Sequence, residues 1–139
     1  MLLQRKNAVR DDERHGGYAS DECAIIGAIA GDIIGSAHEL KGTRIKTTDF
    51  ELFPDKVTFT DDTVMTMAVM KWLSEIYRIP TSEEGLVPIM KDIGLRYMEV
   101  GYGHSFKQWL RSDNPEPYNS LGNGSAMRVT AAGLFGQNL

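Results

Sequence analysis

Apolar residues along this chain fall into several runs with helical spacing, separated by breaks rich in glycine and proline. The clearest run starts at Thr60. Val64, Met67, Ala68 and Trp72 share one helix face there, and Met65, Val69, Leu73 and Ile76 widen it, which predicts a core helix. Ile79-Pro80-Thr81 breaks that run, and Thr81 with Glu84 forms a capping box ahead of Pro88, a residue suited to the first position of a helix. Ile89, Ile93, Tyr97 and Val100 then repeat at helical spacing until Gly101-Tyr-Gly103 stops them. Phe106 to Leu110 makes a short helix, Ser112 to Ser120 with its two prolines makes a loop, and a last helix starts near Ser125.

The N-terminal third reads differently. Residues 1–20 are rich in Arg, Asp, Glu and Gly without a sustained apolar period, so a solvated tail is expected there, followed by one domain over 21–139. Ser20 and Asp21 suit the cap of the next helix, where Gly27, Gly31 and Gly35 recur every four residues along one face. Each interior glycine costs about 1 kcal/mol relative to alanine, so close approach of another backbone or a ligand is expected at that stripe. Lys41 to Phe59 includes Pro54 and has no helical period, which predicts a long irregular connection with some extended structure.

Composition narrows the function classes. A chain of 139 residues suits one domain with a sizeable core. With 19 acidic against 15 basic residues it carries no broad positive field, so nucleic acid is not expected as a primary partner. Cys23 is the only cysteine, which excludes an internal disulfide and suggests a small packed side chain. The opening residues lack a signal-peptide core and Ala24 to Gly31 is too short to cross a bilayer, so a soluble cytoplasmic protein without a membrane partner is expected.

Candidate chemistry sits in three places. In Thr60-Asp61-Asp62-Thr63, Thr60 suits the N-cap and both aspartates fall in the first turn, where the helix dipole favours their ionised forms. Adjacent positions diverge by about 100°, so the two carboxylates can address different sides of one or two hard cations such as Mg²⁺ or Mn²⁺; simple capping explains the same residues. Asp32 lies within the glycine-striped helix and Glu39 follows two turns later, either facing the same centre or serving a buried hydrogen bond and solvent respectively. Gly122-Asn-Gly-Ser-Ala-Met-Arg128 is a glycine turn feeding a helix, able to cradle a phosphate but lacking the Lys-Ser/Thr ending of a nucleotide-triphosphate loop. Gly101-Tyr-Gly-His104 and Tyr118-Asn-Ser120 offer loop contacts, His15, His38 and His104 read as isolated histidines, and the methionines read as core filler.

Taken in order, Gly-Asp-x-x-Gly-x-x-x-Glu, Phe-Thr-Asp-Asp-Thr and Gly-Asn-Gly-Ser-Ala-Met-Arg closely resemble the ADP-ribosylglycohydrolase family, which includes the dinitrogenase reductase-activating glycohydrolases, over about residues 24–136. The resemblance implies an all-α orthogonal helical bundle. It also implies a hydrolase that cleaves the glycosidic bond joining ADP-ribose to a protein side chain or small acceptor with a pair of Mg²⁺ or Mn²⁺ ions. By the same resemblance Thr60, Asp61, Asp62 and Glu39 are metal ligands, with Glu39, Asp61 and Asp62 catalytic. Gly122, Asn123, Gly124 and Ser125 hold the ADP-ribose, and Tyr102 and Gly103 line the cleft. The family's second metal motif, of Asp-x-Asp-Asp/Ser-Thr type, has no counterpart here, since Asp92 and Asp113 stand alone. A truncated, N-terminal portion of the fold with an incomplete metal site is therefore expected. A non-catalytic binding or structural relative, as in the lens crystallin branch, is the alternative, and an oligomer is compatible with either.

Overall fold

The computed structural model describes residues 15–39, 44–78 and 85–136, and all regular structure among them is helical. The order is α1 (His15–Ser36), α2 (Asp61–Arg78), α3 (Leu86–Arg96), α4 (His104–Arg111), a 3₁₀ turn (Ala126–Arg128) and α5 (Val129–Gly136). Helix α2 is the centre, in contact with α3, α5, the 3₁₀ turn and α1. Its apolar period explains this position, because Val64, Met65, Ala68 and Val69 are all buried. The main core joins Val64, Met65 and Ala68 to Ile89 and Met90 of α3, Tyr102, and Leu110 of α4. A smaller cluster joins Val69 to Ile25 of α1 and Ala131 of α5.

Helix α4 comes close to α3 at Gly94. A Cβ there would lie 2.7 Å from Leu110 Cδ2 and 3.4 Å from Met65 Cε, and both of those side chains are fully buried. We expect Gly94→Ala to lower unfolding free energy by about 1–3 kcal/mol through overpacking, read by urea denaturation; a variant as stable as the parent would show that the α3–α4 contact can relax.

Several expectations hold. Thr60 precedes α2, the connection from 44 to 60 has no regular element, residues 112–120 form a loop, and the last helical segment follows Ser125. Others are corrected. Helix α1 begins at His15, ahead of the expected cap at Ser20 and Asp21. The glycine stripe meets no close backbone among the described residues: a Cβ at Gly27, Gly31 or Gly35 would find no atom within 4 Å. Cys23 is exposed rather than packed. Met67 is 41% exposed because the buried stripe of α2 centres on Met65 instead. Pro88 is the third residue of α3, tolerated there because the first-turn amides lack intrahelical partners anyway. Helix α3 ends at Arg96, before Val100. The connection shows no extended strand among its described residues. Residues 1–14 of the expected tail, and the Ile79–Thr81 break with its Thr81–Glu84 box, lie outside the described residues. No helix among the described residues is long and apolar enough to cross a membrane.

Candidate functional site at the start of α2

Four hydrogen bonds converge on the Asp32 carboxylate of α1. Oδ2 accepts from the Thr60 amide at 2.8 Å and the Thr63 amide at 3.1 Å, while the hydroxyls of Thr60 and Thr63 donate to Oδ1 and Oδ2 at 2.6 and 2.5 Å. A half-buried carboxylate satisfied in this way fixes the tip of α2 against α1. The connection is drawn back to the same place, since Ser36 Oγ at the end of α1 accepts from the Thr58 amide at 3.0 Å. Thr60 is a true cap: its Oγ1 accepts from the Asp62 amide at 3.3 Å and its carbonyl starts the helix by accepting from Val64. Because its hydroxyl proton goes to Asp32, the remaining capacity of that oxygen is for accepting only.

The loop after α3 closes the other side of this tip. The Asp61 amide donates to the Val100 carbonyl at 2.9 Å, and Gly101 follows with φ 103°, a conformation that L side chains rarely adopt. A Cβ at Gly101 would sit 3.3 Å from Asp61 Oδ1, so the glycine also leaves space for the carboxylate. The glycine turn reaches the same helix by a third route: Thr66, one turn into α2 and buried, donates its hydroxyl to the Met127 carbonyl at 2.9 Å.

Asp61 is half-buried while Asp62 and Glu39 are exposed. Burial pushes the Asp61 carboxyl up, with Asp62 and Asp32 adding to the rise and Arg128 opposing it. Burial also raises Asp62, with Asp32 again adding and Arg128 opposing. Glu39 is raised by burial first and then by Asp32, Asp62 and Asp61. The three motifs therefore share one electrostatic neighbourhood. Among the described residues it holds more negative charge than Arg128 balances.

These directions set a pH dependence. Carboxyls raised in the folded state bind more protons than in the unfolded chain, so their contribution to stability grows as pH falls through the raised values toward the ordinary 3.8 and 4.5, and shrinks as pH rises. In chelator-containing buffer, the stability gap between Asp62→Asn and the parent should widen from pH 4 to pH 7 in favour of the variant. Thermal melts across that range check this, and a gap independent of pH would contradict it.

Among the expected site residues, Thr60, Asp61 and Asp62 stand together at the helix tip and Glu39 lies within reach of their field. No group of three or more His, Cys, Asp or Glu side chains that could hold a metal ion occurs among the described residues, so Glu39 is near the aspartates without closing a common shell with them. Gly122, Asn123 and Ser125 are exposed on the turn above Arg128, with Gly124 half-buried. Tyr102 is 4% exposed and packs in the main core, set edge-on to Phe106 at 5.3 Å. Gly103 is exposed and starts α4, its carbonyl accepting from Lys107. Thr63 and Thr66 anchor the tip and the turn, roles that spacing alone does not assign; the signal is a pair of hydroxyls on the first two turns of a core helix.

An all-helical domain whose polar chemistry gathers at one helix start is thus the class of protein in hand. The family model of the ADP-ribosylglycohydrolases matches residues 22–139, and the chain belongs to that family of glycosidic-bond hydrolases. No curated protein and no solved structure matches this chain.

Proposed function

We propose that the chain supplies the Thr60–Asp62 half of a metal-dependent site for cleaving the bond between ADP-ribose and a protein side chain or small acceptor. The observation that carries this reading is the Asp32 clamp, which holds Thr60 and Thr63 so that Asp61 and Asp62 project from a fixed helix tip. Two aspartates, an accept-only Thr60 oxygen and Glu39 suit Mg²⁺ or Mn²⁺, hard cations that take oxygen ligands. When bound, such ions grip sugar hydroxyls, polarise the anomeric centre and lower the pKa of a bound water.

The chain's own groups do the rest. Glu39, exposed and with its carboxyl raised by burial and the nearby aspartates, is suited to orient a water and take its proton. Asp61 and Asp62 place negative charge near the positive charge that develops on the sugar in an oxocarbenium-like transition state. The Gly122–Ser125 turn, exposed except at half-buried Gly124, offers a surface where a diphosphate can lie. A second reading, a non-catalytic ADP-ribose-binding relative, is favoured by the lack of any three-ligand cluster among the described residues. The experiment that separates them is release of ADP-ribose from an ADP-ribosylated protein, followed by chromatography in Mg²⁺ and in chelator. Release only in Mg²⁺ supports the hydrolase; binding of ADP-ribose without release supports the relative.

A further inference from the structure

Two contacts beyond the Asp32 clamp stitch the end of α1 to the connection that leads into α2. Ser36, one turn after Asp32 and on the same face, donates its hydroxyl to the Ile33 carbonyl at 2.7 Å and accepts from the Thr58 amide at 3.0 Å. The donated bond fixes the direction of the hydroxyl and turns its lone pairs to Thr58. Past the helix, the His38 amide closes a turn on the Gly35 carbonyl at 2.8 Å, and the His38 ring meets Phe50 of the connection edge-on at 5.4 Å. Glu39 is the next residue. The register is tight. Thr58 sits on Ser36 and Thr60 on Asp32, so two residues of chain, reaching at most about 7 Å, cover four helical residues that rise about 6 Å. Little slack remains between the two anchors.

Glu39 needs such a hold. Its exposed carboxyl is raised by burial and then by Asp32, Asp62 and Asp61, so three neighbouring carboxylates push it away from the α2 tip. An exposed side chain under repulsion keeps its place only where the backbone beneath it is fixed. We propose that Ser36 is a positioning residue for Glu39: its bond to Thr58 holds the end of α1 on the connection and so sets the turn that carries Glu39 beside Asp61 and Asp62. The His38–Phe50 contact holds the same turn at a second point. The proposal rests on the reading of Glu39 as the group that orients the attacking water, and Ser36 acts only through it. Without the Ser36 hydroxyl the Asp32 clamp still joins the two helices, but the turn beyond it pivots and the repelled carboxylate moves off. Thr58 is exposed, so water replaces its lost acceptor and the fold survives.

A double-mutant cycle on release of ADP-ribose in Mg²⁺ tests this with the parent, Ser36→Ala, Ser36→Thr, Glu39→Gln and the Ser36→Ala/Glu39→Gln pair, each shown to be folded by far-ultraviolet dichroism and melting curves. Ser36→Ala is expected to lower kcat by about 10- to 100-fold, the cost of misplacing a reacting group, with KM little changed. Ser36→Thr keeps the hydroxyl and should recover most of the loss. In the Glu39→Gln background the alanine should cost less than about twofold, because the group it acts through is already gone. An equal loss in both backgrounds overturns the positioning role and leaves the hydrolase reading standing. A parent that releases no ADP-ribose overturns that reading and the proposal with it. Nuclear magnetic resonance adds a readout independent of turnover: the Overhauser contact between the His38 and Phe50 rings should be present in the parent and in Ser36→Thr and weakened in Ser36→Ala. An undiminished contact in folded Ser36→Ala shows the turn standing without the serine, and overturns the proposal.

Discussion

Asp61→Asn is expected to reduce release of ADP-ribose by at least about 100-fold while leaving the fold intact, because it removes one unit of negative charge from the site at nearly constant shape. Asp61 is the better placed of the two aspartates for this test. Its amide is tied to Val100, its carboxylate is close to Gly101, and burial already disfavours its charge. Neutralising it therefore relieves the folded chain rather than straining it, so the variant should melt no lower than the parent near neutral pH. Loss of release with retained stability is the signature of a group that serves the ligand. A variant that turns over as fast as the parent would remove Asp61 from the chemistry.

The second large effect falls on Asp32. Replacing it with alanine leaves the Thr60 and Thr63 amides and hydroxyls without their common acceptor, at a cost of about 2–4 kcal/mol, since hydrogen bonds to a charged group are worth more than neutral ones and the donors are half-buried. Urea denaturation reads the loss. The same variant should also lose stabilisation by Mg²⁺, because the tip of α2 is no longer held in one orientation against α1. A change under about 0.5 kcal/mol would mean that α2 packing on α3 and α5 fixes the tip without the clamp.

How far the sequence carried these conclusions varies from residue to residue. The start of α2 was legible because a capping threonine, two first-turn aspartates and an apolar period all point to the same boundary, and the structure places Thr60 there with its side chain on the Asp62 amide. Asp32 was legible only as a carboxylate in need of a partner. Its partners lie on another helix, and nothing local to α1 names Thr60 and Thr63. Arg128 likewise could be matched to a phosphate or a carboxylate by spacing, and only packing of the turn through Thr66 brings it to Asp61 and Asp62.

The burial of Tyr102 and the surroundings of the glycine stripe were not legible. A tyrosine between two glycines reads as a loop contact, yet the positive φ of Gly101 turns the chain so that the ring enters the core beside Phe106. Three glycines at four-residue intervals read as a close approach, yet the described neighbours leave that face of α1 open. Periodicity reports which residues share a face; it does not report what the face meets.

Electron paramagnetic resonance of Mn²⁺ tests the cation site at the α2 tip most directly, because the six-line signal of free Mn²⁺ fades as the ion is bound. The parent should deplete the signal weakly and saturably, with half-saturation at about 0.1–1 mM as for sites with few protein oxygens, and Asp61→Asn and Asp62→Asn should each abolish the depletion. Equal depletion by the parent and both variants, or none by the parent at millimolar Mn²⁺, would contradict a metal site at that helix tip.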